Sequence, residues 1–549
     1  MANSTQSPLQ PALQRSLFYK AFVDNPLVLR DLRATMRGTR AFWFQGTYLL
    51  LLGALAVAGY ATATGQSLLP NHDDATRLAL NGSGFNLVDA QGKLQLFYYF
   101  IFVTLAALIT LIAPALTATS ITDERSRQSL DLVITTPLSA FEMLSGKLIA
   151  SLAFLGLLLA LSLPASALCV LLGGATIGDI FRIYWMLGVD AVVLASIGLY
   201  FSCACKTSLQ AIVWTYGAVG AFVCLAYLSG AFGHIGSSAY TFIGAMEPFT
   251  VLSTLSPFAA VQPFAASYVT IGALHVPLAV LQIPAAAATA GILLTAATFR
   301  FGVFGGAAGR ALRVQLLAAS GVVALLLSMA LSQIGNRCDF MGFANVVFGM
   351  VVVTAVFAIV ALPFLPGLFV PVCAEETSAG DPAFKSGSGI RSAFDVRAMF
   401  APTHGGSLPY FLAWLAVATL CGIGGVALRS PAPLDALLLG AAVGFVYVGG
   451  AGTMLWGISR VAARLTQNAS AARALAFGIF ILAVAVPALP LTFVSSDAYH
   501  SQTYLMGWLG APMLFSHIGQ ANYLLPFLTS GGVSAVIGFV AGMLAKVWE

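Results

Sequence analysis

The chain has 549 residues, 59% hydrophobic and only 8% charged, with a formal net charge of +5. An ordinary soluble domain carries roughly 25% charged residues, so this composition excludes a water-soluble globular protein and predicts an all-α polytopic membrane protein. No interval between apolar runs exceeds about 45 residues, which leaves no room for a separate soluble catalytic domain of typical size.

Residues 1–41 are polar and basic, unlike a cleaved signal with its early apolar core, so the first hydrophobic run reads as a retained span. Within this segment, NPLVLRDLRATMRGTRAFW places Asn25 as an N-cap and Pro26 at the first helical position, where its missing N–H costs nothing. Leu29, Leu32 and Met36 recur at helical spacing, with Arg30, Arg33, Arg37 and Arg40 on the other faces. This pattern predicts a basic amphipathic helix lying on the membrane surface. Arginines that only anchor topology against lipid headgroups are the plainer reading.

Runs of about 20 apolar residues predict about twelve transmembrane helices. They start near Phe42, Leu96, Leu148, Ile183, Leu209, Val276, Val314, Phe343, Pro409, Asp435, Ala474 and Tyr523. Counted from an inside N-terminus, all 25 lysines and arginines except Arg77, Lys93, Arg182, Arg337 and Arg429 fall on the cytoplasmic side. Both termini are therefore expected in the cytoplasm, of a bacterial inner membrane. The positive charge is a topology signal and gives no reason to expect nucleic acid.

Between the second and third runs, ITDERSRQSLDLVITTPLSAFEMLSGKLIA gathers Asp123, Glu124, Arg125, Arg127, Asp131, Glu142 and Lys147 into one cytoplasmic connection. Pro137 forbids a continuous helix through Thr135 and Thr136. Ser139 and Glu142 form a capping box that starts the next helix. Leu130, Leu132, Val133, Ile134 and Leu138 add apolar surface, so the element reads as a docking surface for another protein. A solvated connector is the alternative.

Further along, Asp190 lies about 10 Å inside the fourth run at ~1.5 Å per residue. An intramembrane acid is a candidate for the transport pathway, and a structural pair with Arg182 near the interface is the blander expectation. In the connection before the sixth run, LSPFAAVQPF is too apolar for a free loop and is broken by Pro257 and Pro263, which predicts short re-entrant helices and makes Pro257 and Phe258 candidate gate residues. His234, Glu247 and His275 in the same connection read as solvated loop residues or as an exit gate.

The seven cysteines show no paired framework and read as small buried hydrophobes, and no metal-ligand or catalytic motif occurs. The small-residue pairs Gly302/Gly306, Gly440/Gly444 and Gly538/Gly542 suit close helix contact.

Asp123-Glu124-Arg125 followed by Leu130, then Thr135-Thr136-Pro137-Leu138 and Gly146-Lys147 opening the next span, resembles the cytoplasmic loop of type-2 ATP-binding-cassette (ABC) transporter permeases. The amphipathic segment Asn25 to Arg40 and the Pro257 connection extend the resemblance over roughly residues 15–300. It implies that the loop holds a coupling helix, which inserts into a cytoplasmic ATPase subunit. Asp123, Glu124, Arg125, Leu130, Thr136 and Pro137 would form or shape that contact, flanked by Arg30, Arg33 and Arg37. The chain lacks the G-x-x-x-x-G-K-[ST] phosphate loop, so it is expected to bind no cofactor itself, with ATP and Mg held by the partner ATPase.

Residues 42–299 then make one six-span permease unit and residues 300–549 a second membrane unit. Ordered echoes link the halves: Gly309-Arg310-Ala311 with Gly38-Thr39-Arg40-Ala41, Glu375-Glu376 with Asp123-Glu124, Phe394-Asp395-Val396 with Leu130-Asp131-Leu132, and Pro512-Met513 with Pro257-Phe258. Their offsets are roughly 250–270 residues, consistent with a degenerate tandem repeat. The alternative is an accessory unit, with a second permease chain completing the transporter. The expected function is that of a non-enzymatic ABC exporter subunit; the alternative is a secondary transporter driven by an ion gradient.

Overall fold

A computed structural model describes residues 30, 39–64, 87–128, 139–171, 176–235, 254–261, 268–271, 274–301, 305–335, 347, 351, 407–429, 433–466, 475, 478–479 and 524–547. The chain divides into two compact units, one of residues 1–228 with 253–303 and one of residues 229–252 with 304–549. The architecture is helical, with one small β-hairpin.

The first unit runs α1 (Thr39–Thr64), α2 (Leu87–Ala118), the short α3 (Ser120–Ser126), α4 (Ala140–Leu171), α5 (Ile177–Ala204), α6 (Ser208–Ile235, of which residues 229–235 belong to the second unit), the short α7 (Pro257–Val261), strands β1 (Tyr268–Ile271) and β2 (Leu274–Pro277), and α8 (Leu278–Phe301). Among the candidate spans of this unit α5 is the most buried and α1 the least, so α5 is the hub and α1 the rim. Helices α2, α3, α4, α7 and α8 all pack on α5. At 32 residues, α2 and α4 are each about 48 Å long, well beyond the ~30 Å hydrocarbon core. Their ends reach water, where charged residues are tolerated.

Close approach of α2 to α5 depends on Gly198. A Cβ there would collide with Thr117 Oγ1 and with the Pro114 carbonyl. Thr117 donates across this contact to the Ala195 carbonyl at 2.8 Å. Nearer the start of α5, the Tyr184 and Ser162 hydroxyls lie 2.7 Å apart, tying it to α4.

Helix α4 begins at Ala140, where the Ser139 capping box was expected to start it, and runs into the apolar stretch expected from Leu148. The box's two reciprocal bonds are present: Ser139 N–H to Glu142 Oε2 at 2.8 Å and Glu142 N–H to Ser139 Oγ at 3.2 Å. Other helix starts differ from expectation. Helix α5 begins at Ile177 instead of Ile183, since Thr176 and Asp179 form a second such box. Where the sixth span was expected to begin at Val276, β2 pairs antiparallel with β1, Val276 opposite Val269. Pro277 ends the strand and α8 starts at Leu278.

The second unit contains α9 (Gly305–Gly335), α10 (Ser407–Arg429), α11 (Leu434–Thr466) and α12 (Leu524–Val547). Its core gathers Tyr410, Phe411, Trp414, Leu415, Leu437 and Leu455, among others. The Tyr410 hydroxyl donates to the Arg313 carbonyl at 2.8 Å, and the Arg313 guanidinium lies 5.0 Å from the centre of the same ring. Helices α11 and α12 touch backbone to backbone: a Cβ on Gly450 would strike the Gly531 carbonyl, and one on Gly457 the Gly538 carbonyl. Gly542 faces the Trp456 ring in the same crossing, so the small-residue pair Gly538/Gly542 lies in a helix contact.

Among the described residues, seven helices are long and apolar enough to cross a membrane: α1, α2, α4, α5, α8, α10 and α11. The apolar cores of α6 and α12 are shorter, residues 208–224 and 528–544. The spans expected near Phe343 and Ala474 lie largely outside the described residues.

Candidate functional site

The charged connection starts as a direct extension of α2. After a turn at Thr119 the chain forms α3, which ends where Gln128 takes a positive φ of 55°. A helix this short leaves most of its terminal N–H groups without partners of its own. They are met from another helix: Ser202 Oγ, near the end of α5, accepts the N–H of Ile121 at 2.9 Å and of Thr122 at 3.4 Å. Ser202 thus acts as an N-cap in trans, and both α3 residues are buried.

Asp123, Glu124 and Arg125 reach three different elements. Asp123 Oδ1 accepts the Ser208 hydroxyl of α6 at 2.7 Å. Glu124 Oε1 is 2.7 Å from Lys147 Nζ on α4 and 3.5 Å from Arg30 Nη2. Lys147 is 8% exposed and Arg30 51%, so the lysine makes the less screened pair and the arginine contributes a water-exposed one. Arg125 Nη1 donates to the Cys205 carbonyl at 3.0 Å, placing a cation on an otherwise unpaired carbonyl at the C-terminus of α5. Burial raises the Cys205 thiol above its ordinary range, with Arg300 and Arg125 opposing.

The structure places Arg30, Asp123, Glu124 and Arg125 in one region and gives Lys147, Ser202, Ser208 and the Cys205 carbonyl as their partners. All four groups are engaged within the chain, so they hold α3 in place on α4, α5 and α6. Arg33, Arg37, Leu130, Thr136 and Pro137 lie outside the described residues.

Asp190 is fully buried at the centre of α5. The early start of this helix moves it from the expected ~10 Å to about 20 Å from the helix beginning. The anticipated partner Arg182 instead sits 3.6 Å from Asp179, one turn away on the same helix. Asp190 Oδ1 accepts from Gln282 Nε2 of α8 at 2.8 Å. That amide nitrogen also reaches the Thr254 carbonyl at 2.9 Å and the Met186 carbonyl at 3.1 Å. Gln282 escaped the sequence reading, although a glutamine inside an apolar run was the available signal. Pro257 is buried at the first position of α7 and Phe258 is half-buried beside it, with α7 packed on α2 and α5. The side chains of His234, Glu247 and His275 lie outside the described residues.

Residues 26–302, just over half of the 549-residue chain, match the model of a family described as ABC-2 family transporter protein. The match takes in α3, its partners on α4, α5 and α6, and the Asp190–Gln282 pair. Comparison with curated proteins gives no match. Membrane subunits of this family associate in general with ABC ATPase subunits. With its apolar helices and this match, the chain belongs to the ABC-2 transporter family, as a multi-pass integral membrane permease.

Proposed function

We propose that the chain is the permease subunit of an ABC exporter, with both termini cytoplasmic and its power supplied by ATP and Mg bound to a separate ATPase. The observation that carries this reading is the mounting of α3. A charged element at the end of one candidate span is pinned by side chains to three other helices: Lys147 on α4, Ser202 on α5 and Ser208 on α6. A force applied there would reach four helices together, which is what a coupling element must do. Asp123, Glu124 and Arg125 shape the element in this scheme, while Leu130, Thr136 and Pro137 make the contact. Residues 42–299 would be the permease unit proper, with all six expected spans.

Co-purification with cytoplasmic ABC ATPases tests the proposal. Leu130→Asp should abolish association or the stimulation of ATP turnover while the chain still inserts and folds. A chain that binds no ATPase yet moves substrate on a proton or sodium gradient would overturn it and establish the second reading, an ion-driven transporter, for which the buried mid-span Asp190 speaks. Stoichiometry decides the role of residues 300–549. Two ATPases on one chain would mark them as a worn copy of the first unit, and two chains per complex as an accessory.

A further inference from the structure

The Asp190–Gln282 pair has a hydrogen-bond deficit that one atom would repair. Both side chains are fully buried. The two amide hydrogens of Gln282 face three acceptors, Asp190 Oδ1 and the carbonyls of Thr254 and Met186. Turning the amide over would aim its oxygen at two carbonyls that cannot donate, so its orientation is fixed. Among the described residues, Gln282 Oε1 is left without a partner, and so is Asp190 Oδ2. The Ser256 hydroxyl, two residues past Thr254, is buried and unpartnered as well. The cluster therefore has acceptors left over on both halves of an acid–amide pair.

An ionised carboxylate in such a place needs several donors or a cation, and among the described residues one side-chain donor, the Gln282 N–H, is hydrogen-bonded to Asp190. Among the described side chains, the ionisable groups on the surrounding elements are engaged or distant. On α5 itself Asp179 and Arg182 face each other, and Tyr184 contacts Ser162 and Ser166. On α3 and α4, Glu124 and Lys147 are paired, Asp123 takes Ser208 and Arg125 the Cys205 carbonyl, while Glu142 caps its own helix. Arg300 of α8 is 18 residues past Gln282, about 27 Å along the axis. The neutral-when-protonated groups Tyr98 and Tyr99 of α2, Cys169 of α4, and Tyr200 and Cys203 of α5 supply no cation, and α7 has no ionisable residue.

We propose that Asp190 is a proton-binding site, occupied as a carboxylic acid whose Oδ2–H completes a two-point pair with Gln282. Binding converts the carboxylate and one proton from water into the neutral acid. Release breaks the Oδ2–H bond, returns the proton to water and leaves a charge that the dry site does not solvate. Because Gln282 also holds the Thr254 carbonyl, occupancy latches the segment leading into α7 to α5 and α8. Release would then loosen that segment. The inference rests on the transport reading only for what the loosening does.

The test uses the purified full-length chain in lipid nanodiscs, with no ATPase or substrate. Infrared difference spectra across pH should show the C=O band of a protonated carboxyl at neutral pH, shifted by deuterium exchange and missing in Asp190→Asn. Asp190→Asn, which keeps an N–H where the acid has its O–H, should melt like the parent, and Asp190→Ala should melt earlier. If Asp190→Asn fails to fold, Gln282→Leu serves instead: the band should move because its partner is gone, and an unmoved band would assign it to another acid and sink the proposal. Absence of the band at every pH, or its loss on adding sodium or potassium chloride at constant pH, would equally overturn it. An ATPase that never binds would remove the exporter reading and leave this result standing.

Discussion

Ser202 of α5 caps α3 across 81 residues of sequence, its hydroxyl oxygen 2.9 Å from the backbone nitrogen of Ile121. Ser202→Ala removes that acceptor at a cost of about 1 kcal/mol, the usual worth of an N-cap. Hydrogen exchange at Ile121 and Thr122 should quicken about fivefold. Ser196→Ala on the same helix, whose hydroxyl bonds its own Val192 carbonyl at 2.7 Å, should leave those amides unchanged. Equal exchange in parent and Ser202→Ala would show that α3 needs no cap from α5.

The Lys147–Glu124 pair is half shielded, with side-chain exposures of 8% and 19%. Lys147→Met takes the nearest cation from Glu124 and should destabilise the chain by about 2–3 kcal/mol, below the ~3–5 of a fully buried pair because Glu124 keeps some water. Glu124→Gln/Lys147→Met together should recover part of that loss. Thermal melts in detergent give the cycle, and strictly additive losses would mean that the two side chains do not interact.

At the start of α4, Ser139→Ala should cost about 1 kcal/mol by stripping the acceptor from the Glu142 N–H. Glu142→Gln should be nearly silent, since a glutamine oxygen reaches the Ser139 N–H equally well. Exchange rates at residues 140–143 read the difference. A loss in Glu142→Gln as large as in Ser139→Ala would assign the effect to charge and not to capping.

In the second unit, Gly450→Ala should destabilise by roughly 1–3 kcal/mol, as expected for overpacking, because its methyl meets the Gly531 backbone, which cannot swing aside. Gly532, one residue past that contact, has nothing within 4 Å of a Cβ. Gly532→Ala should therefore be neutral or mildly stabilising, in line with the helix preference for alanine. If the two variants melt alike, α11 and α12 do not cross at these glycines.

Local signals survived the passage from sequence to structure where they needed no partner. The Ser139–Glu142 box is self-contained, and Pro257 at a helix start depends on its own ring. The Thr176–Asp179 box is of the same kind and was legible in Thr-Ile-Gly-Asp, but the apolar window placed the span start six residues later and hid it. What stayed illegible was pairing at a distance. Ser202 and Ser208 read as ordinary small residues in apolar helices, and nothing local to them shows that 80 or more residues earlier a short helix lacks a cap. Asp190 is visible as an anomaly, but the cation nearest to it along the same helix, Arg182, serves Asp179. Gln282, 92 residues away, became its neighbour only through the packing of α8 on α5.

Helices α2, α4 and α8 each carry an internal proline, at Pro114, Pro164 and Pro284, and α5 has none. Prolines are where helices bend. Between Ser202, which grips α3, and Asp190, which grips Gln282, α5 runs 12 residues, about 18 Å, without such a joint. α5 is therefore the straight-built member of this group, joining the Ser202 and Asp190 contacts with no proline between them.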